Sequence, residues 1–223
     1  MMLRSAPGRD FTFLILILPG LLGAVSPPAQ AADKSLYENN FEHTEVGKVP
    51  DDFLVLDGGF VVKEVEGKKF LELPGAPLET FAVQFGPARS NDVSVTASIK
   101  GVAKGRRQPV FGVGLGGVAG FKLQVSPAKQ ALEIYRDADL KASVPYQWVS
   151  GHWITLRLQI RTPEKQGWII EGAAWDQGKS PPEKAMISFQ ATEAPLPGRA
   201  SVFGSPFSGE PIWFDDFAVS EAR

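Results

Sequence analysis

The 223-residue sequence contains no cysteine and only two histidines. Without cysteine there is no disulfide framework, no thiolate metal centre and no sulfur nucleophile, so a stable fold has to rest on an apolar core. His43 and His152 lie in separate segments with no acidic cluster beside either, which leaves a zinc centre or a Ser-His-Asp arrangement without its parts. Both read as solvent-facing loop residues. No Asn-x-Ser/Thr acceptor occurs. An excess of one charge is missing as well: 23 Lys and Arg stand against 25 Asp and Glu, net −2, which gives no electrostatic footing for nucleic acid. The one basic cluster, Lys104-Gly105-Arg106-Arg107-Gln108, sits between Gly101 and Pro109 and reads as a solvated loop; a patch for anionic polymers is the alternative.

Long hydrophobic runs are absent beyond the N-terminus. There Arg4 and Arg9 precede the apolar stretch Phe11 to Leu18, interrupted by Pro19-Gly20 and resumed by Leu21 to Val25, before Ala29-Gln30-Ala31. A basic start, a short apolar run and a small-x-small end are the parts of a signal peptide. The sequence therefore predicts a signal peptide over residues 1–31, a mature chain from Ala32 and one domain over 32–223, exported to the periplasm, the surface or the medium. The run is short of the ~20 apolar residues that span a bilayer, although an uncleaved N-terminal anchor is the alternative. The mature chain keeps 21 basic and 24 acidic residues, net −3.

After Ala32 no dozen-residue stretch shows a helical apolar period with caps. Alternation of apolar and polar residues takes its place. Val93 to Ile99 alternates; Ile154, Leu156, Leu158 and Ile160 share one face of their segment; Phe121 to Val125 and Ala131 to Tyr135 repeat the pattern. Turn chemistry separates such runs at Asp57-Gly58-Gly59, Glu66-Gly67, Pro74-Gly75-Ala76-Pro77, Gly86-Pro87, Ser126-Pro127 and Pro197-Gly198. Roughly a dozen one-sided strands predict an all-β fold, a two-sheet antiparallel β-sandwich of jelly-roll size rather than a small immunoglobulin sandwich.

Four features carry candidate chemistry. Gly112-Val113-Gly114-Leu115-Gly116-Gly117 spells Gly-x-Gly-x-x-Gly, but a strand follows it where a dinucleotide site needs a helix, so it reads as a Gly-rich strand edge and hairpin. Glu133-Ile134-Tyr135-Arg136-Asp137 comes nearest to the paired carboxylates of glycosidases, yet Tyr135 stands at the centre and Asp137 falls in a turn. Five tryptophans are many for this length. Flat rings stack on sugar faces; Trp148 with Tyr146, in a loop between Pro145 and Gly151, is predicted to form an exposed platform, and Trp175 to lie at the rim. Packing in the core is the competing reading for each ring. Last, Ile212-Trp213-Phe214-Asp215-Asp216-Phe217-Ala218-Val219 places adjacent carboxylates inside an apolar strand, where each must find a partner. Oxygen donors without Cys or His suit a hard cation such as Ca²⁺; hydrogen bonding of one Asp to backbone N–H, with the other in water, is the alternative.

Several segments together resemble the concanavalin A-like lectin/glucanase superfamily in its laminin G-like, secreted bacterial branch. They are Leu36 to Glu42 with Gly47-Lys48-Val49-Pro50 and Phe53, the strand Trp153 to Leu158, the hairpin Trp168 to Trp175 with Asp176-Gln177-Gly178 and Pro182, and the closing strand Phe214 to Val219. The resemblance implies two stacked antiparallel sheets, glycan or protein binding, and a structural calcium that ties first strand to last. Its oxygens here would come from Asp215 and Asp216 with Asn40, Glu42 and a backbone carbonyl near Gly59. Some members of the superfamily are glycoside hydrolases, so the fold alone implies no activity. The expected function is a non-catalytic exported module binding carbohydrate or a cell-surface polymer through edge loops or a concave sheet face. A structural or protein-interaction module of an envelope assembly is the alternative, and a divergent glycoside hydrolase the third.

Overall fold

The computed structural model describes residues 1–2, 34–164 and 167–222, so all but the first two residues of the expected signal peptide, and its cleavage point, lie outside the described residues. In chain order the strands are β1 (Ser35–Asn39), β2 (Leu54–Asp57), β3 (Val61–Val65), β4 (Lys68–Leu73), β5 (Phe81–Arg89), β6 (Val93–Lys100), β7 (Val110–Leu115) and β8 (Phe121–Ser126). They continue as β9 (Ala131–Arg136), β10 (Asp139–Pro145), β11 (Trp153–Arg161), β12 (Trp168–Asp176), β13 (Ile187–Ala191), β14 (Gly198–Ser205) and β15 (Ile212–Glu221). The one helical element among the described residues is a 3-10 turn, Pro127–Lys129.

Two antiparallel sheets form the expected sandwich. The eight-stranded sheet has the order β13-β12-β11-β6-β15-β4-β3, with β1 also paired to β15; the seven-stranded sheet has the order β10-β9-β8-β7-β14-β5-β2. Alternation decides which face is inside. On β11, Ile154, Leu156, Leu158 and Ile160 are buried while the residues between them are half-buried, and on β8 Phe121, Leu123 and Val125 point inward. Leu123 reaches so far across that a side chain at Gly172 of the opposite sheet would collide with it. The β3–β4 hairpin turns on Glu66-Gly67, both with positive φ (53° and 78°), as the two-residue turn that matches strand twist requires.

A bulge in β15 resolves the adjacent carboxylates. Opposite β6 the register shifts between Asp215 and Ala218, and Asp216 adopts φ 50°. The extra residue turns Phe217 back into the core, so that Phe214 and Phe217 both point inward although they are three residues apart. Phe217 then stacks on Phe85 (centroids 4.5 Å apart) and on Phe53 (5.8 Å), and meets Phe41 edge-on (5.1 Å). This cluster joins β15 and β5, one strand from each sheet. Phe217→Ala is expected to lower stability by ~3–5 kcal/mol, as truncation of a buried Phe does. Urea unfolding measures it, and a loss under ~1 kcal/mol would contradict the packing described.

Candidate functional site

Outward-facing residues of the seven-stranded sheet fall into two rows of cross-strand partners. One row, from β9 to β2, reads Tyr135, Lys122, Gly114, Ser201, Gln84 and Leu54; the next reads Glu133, Gln124, Gly112, Phe203, Ala82 and Asp57. Both rows lose their side chain at the same strand, β7, where Phe111, Val113 and Leu115 point into the core and Gly112 and Gly114 point out. A Cβ at Gly112 would collide with the Leu123 carbonyl and the Phe203 ring, and one at Gly114 with the Ser201 hydroxyl. The glycine pair thus lowers the middle of the sheet face. A hollow of about 310 Å³ results, with Leu56, Thr80 and Ala82 at one end, Tyr135 at the other, and Gly117-Val118 and Asp137-Ala138 as loop walls. Five strand spacings separate β9 from β2, so the hollow crosses ~24 Å of sheet at right angles to the strands.

The polar groups in this trough have unequal fates. Thr80 Oγ1 is 2.6 Å from Ser205 Oγ. Gln84 is 7% exposed, lines the trough and has no side-chain partner among the described residues. Ser201, also 7% exposed, is likewise unpartnered at its hydroxyl, and Lys122 and Asp137 line the trough without an ion pair. Asp137 holds φ 53° in the β9–β10 turn. Beneath the Tyr135 end, Glu133 is 2% exposed and accepts hydrogen bonds from Ser126 Oγ (2.5 Å), Tyr135 Oη (3.1 Å) and Lys129 Nζ (3.0 Å). Burial pushes its pKa up, but the hydrogen bonds from Ser126, Lys129 and Tyr135 outweigh that and hold it below the usual carboxylate range. The glycosidase-like run therefore supplies one rim carboxylate, Asp137, and one sealed carboxylate.

A second hollow, about 250 Å³, lies on the outer face of the eight-stranded sheet against Phe70, Trp153 and Trp213. Its groups have partners already. Trp213 donates its indole N–H to Glu72 Oε2 (2.9 Å), its ring carries the Lys100 ammonium 4.5 Å from the centroid, and Phe70 packs 4.9 Å away.

The aromatic platform expected from the sequence is not assembled. Trp148 is half-buried, packs edge-on against Phe111 (5.8 Å) and keeps its indole nitrogen buried, so it closes the core and is no exposed platform. Tyr146 also packs on the core, and burial raises its pKa to about 12. Trp175 lies on the outer face of the other sheet, opposite Thr155, with the Arg157 guanidinium 5.7 Å from its ring centroid. The loop containing Tyr146 is drawn in by a backbone bond from Tyr146 N–H to Gln130 O (2.9 Å). The basic cluster is a surface turn, Lys104 pairing with Arg107 and with Glu210.

The expected calcium ligands do not converge either. Asp216 accepts from Gln177 Nε2 (2.9 Å) and Ser98 Oγ (3.3 Å), and Asp215 accepts the N–H of Asp216 (2.8 Å). Asn40 Oδ1 accepts from the N–H of Glu42, Glu42 accepts from the N–H of Lys69, and Gly59 lies against Pro74. Among the described residues no three carboxylate or histidine groups gather, whereas Ca²⁺ takes six to eight oxygens. The bulge satisfies the acidic pair with hydrogen bonds instead.

No family model and no curated protein matches the chain. Solved structures do. The carbohydrate recognition domain of Emp47p is 14% identical, with 87% of this chain and 100% of that one aligned at a TM-score of 0.58. The carbohydrate-binding module CBM66 from Bacillus subtilis is 9% identical over 76% of this chain and 95% of its own, TM-score 0.52. The catalytic domain of a glycoside hydrolase family 131 protein from Coprinopsis cinerea is 9% identical over 85% and 95%, TM-score 0.51. The shared feature is the lectin-type β-sandwich.

Two outcomes follow for the acidic pair. Burial, then the neighbouring charge of Asp216, raises the Asp215 pKa from 3.8 to about 7. Between about pH 4 and 7 the folded chain keeps a proton that the unfolded chain releases, so this group lowers stability as pH rises through that window and no further above it. Asp215→Asn should be more stable than the wild type at pH 8 by ~1–2 kcal/mol, a value reduced for solvent screening of a partly exposed group, and equal to it near pH 4. Urea unfolding at pH 4, 5.5 and 8 checks this; a pH-independent gap would contradict it. Melting should also be indifferent to chelator and to millimolar Ca²⁺. A rise of several degrees with Ca²⁺ that Asp215→Ala abolishes would restore the ion.

Proposed function

We propose that the chain is an exported, non-catalytic module of the laminin G-like kind that binds a carbohydrate chain in the trough across the seven-stranded sheet. The observation that carries this reading is Gln84. An amide offers two donors and two acceptor sites, and leaving such a group buried and unmatched costs ~1–3 kcal/mol. Here it sits in mid-strand beside an unpartnered serine hydroxyl, in a hollow that also offers Lys122, Asp137 and the Tyr135 ring. Sugars supply the complement, hydroxyls around the edge and C–H-rich faces for the ring. The trough is open at the strand direction and several sugar rings long, which suits an internal stretch of a polymer.

Two further points support the reading without the trough. Solved sandwiches of similar fold include a carbohydrate-binding module and a carbohydrate recognition domain. Hydrolysis of a glycoside needs two accessible carboxyl groups flanking the bond, and the trough offers Asp137 with Glu133 sealed beneath it.

Affinity electrophoresis and calorimetry against neutral polysaccharides (β-glucan, xylan, mannan, galactan, levan) test the proposal. At least one should bind, and Gln84→Leu should weaken it about tenfold or more with melting nearly unchanged. Trp148→Ala should instead lower stability. Undiminished binding by Gln84→Leu, or binding lost only with Trp175→Ala, would move the site off this face. Absence of binding to every glycan would favour the protein-interaction module.

A further inference from the structure

Hydrogen-bond accounting at the Tyr135 end of the trough goes further, and it rests on the carbohydrate reading above. Glu133 and Gln124 are direct cross-strand partners on β9 and β8. An ionised carboxylate only accepts, so each group touching Glu133 must donate. Ser126 gives it its single hydroxyl proton, which leaves the Ser126 oxygen free only to accept, and it does so from Gln124 Nε2 at 2.8 Å. Gln124 Nε2 also lies 3.4 Å from Glu133 Oε2. The amide of Gln124 is therefore held one way round: nitrogen toward Ser126 and Glu133, carbonyl oxygen without a partner among the described residues on a side chain that lines the trough. Tyr135 is engaged as well. Its hydroxyl donates to Glu133 and accepts from Lys129 Nζ (3.2 Å), so the phenol offers the trough its ring.

We infer that Glu133 is a positioning residue that makes this end of the trough an acceptor beside an aromatic ring, and so selects a neutral sugar unit with a free hydroxyl donating to Gln124 Oε1. Lys122 and Asp137 put one charge of each sign on the trough and favour neither acidic nor basic sugars. A sugar with an ether at the matching position would set two acceptors against each other and lose its place.

The probe is whichever neutral oligosaccharide of glucose, xylose, mannose, galactose or fructose binds the full mature chain best, with its set of singly O-methylated forms. For the wild type, one methylation should weaken binding about tenfold or more. That penalty should vanish in Gln124→Met, which keeps the side-chain length and removes the acceptor. It should shrink to under about threefold in Glu133→Gln, where the amide of Gln124 is free to turn over, even though the parent sugar still binds. If Glu133→Gln does not fold, Ser126→Ala takes its place, since it removes the acceptor that holds the Gln124 nitrogen. A wild type whose methylation penalties are all unchanged by Gln124→Met overturns the inference and leaves the carbohydrate reading standing. A penalty lost in Gln124→Met but intact in Glu133→Gln overturns the role of Glu133. Failure of the wild type to bind any neutral sugar overturns both readings together.

Discussion

The outer face of the seven-stranded sheet depends on how closely its central strand is packed. At Gly112 the Leu123 carbonyl and the Phe203 ring occupy the space that any side chain would need, and at Gly114 the Ser201 hydroxyl stands where a Cβ would be. The inward residues of the same strand, Phe111, Val113 and Leu115, are fully buried against the opposite sheet. Register is therefore fixed from both sides, because a slip of one residue would force phenylalanine outward onto Phe203 and glycine into the core. That constraint leaves a channel where most strands would carry a row of side chains. Glycine weakens a strand by lost entropy and lost packing, and the close approach of neighbouring groups is the reason it is tolerated at the centre of this sheet.

The opposite sheet handles its own awkward sequence by a different device. Adjacent carboxylates in a buried strand would need a partner each, and one extra residue in β15 rotates them to the outer face, where Ser98, Gln177 and a backbone N–H receive them. The same rotation returns Phe217 to the core, where it contacts Phe41, Phe53 and Phe85. Polar satisfaction and aromatic packing are thus consequences of one bulge, and the cluster around Phe217 couples the two sheets behind the trough.

Much of the fold was legible from alternation. The one-sided runs at Val93 to Ile99, Phe121 to Val125, Ala131 to Tyr135 and Ile154 to Ile160 are strands β6, β8, β9 and β11, with the apolar faces inward. Period-2 burial is a local property and the sequence carries it locally. The site is not local. Gln84 stands in Phe81-Ala82-Val83-Gln84-Phe85, which reads as a buried run, and its lack of a partner appears only when Ser201 and Gly114 lie beside it. The spacing of Gly112 and Gly114 did hold a signal, two glycines on one face of an otherwise apolar strand, but its meaning depends on which side chains its neighbours extend over it. Trp148 misled for the converse reason. Its neighbours are loop residues, and burial against Phe111 follows from where the loop is anchored at Gln130, not from its composition.

The central claim is that the groups over β7 meet a sugar, and side-chain amide signals report on it directly. In a ¹⁵N-correlated NMR titration of the mature chain with a soluble neutral oligosaccharide that it binds, the side-chain amide resonances of Gln84 and Gln124 should shift together and saturate with one affinity. The indole signals of Trp153, Trp175 and Trp213, on the other sheet, should stay in place. Saturating shifts confined to those indoles, with both glutamine amides unmoved, would contradict the account.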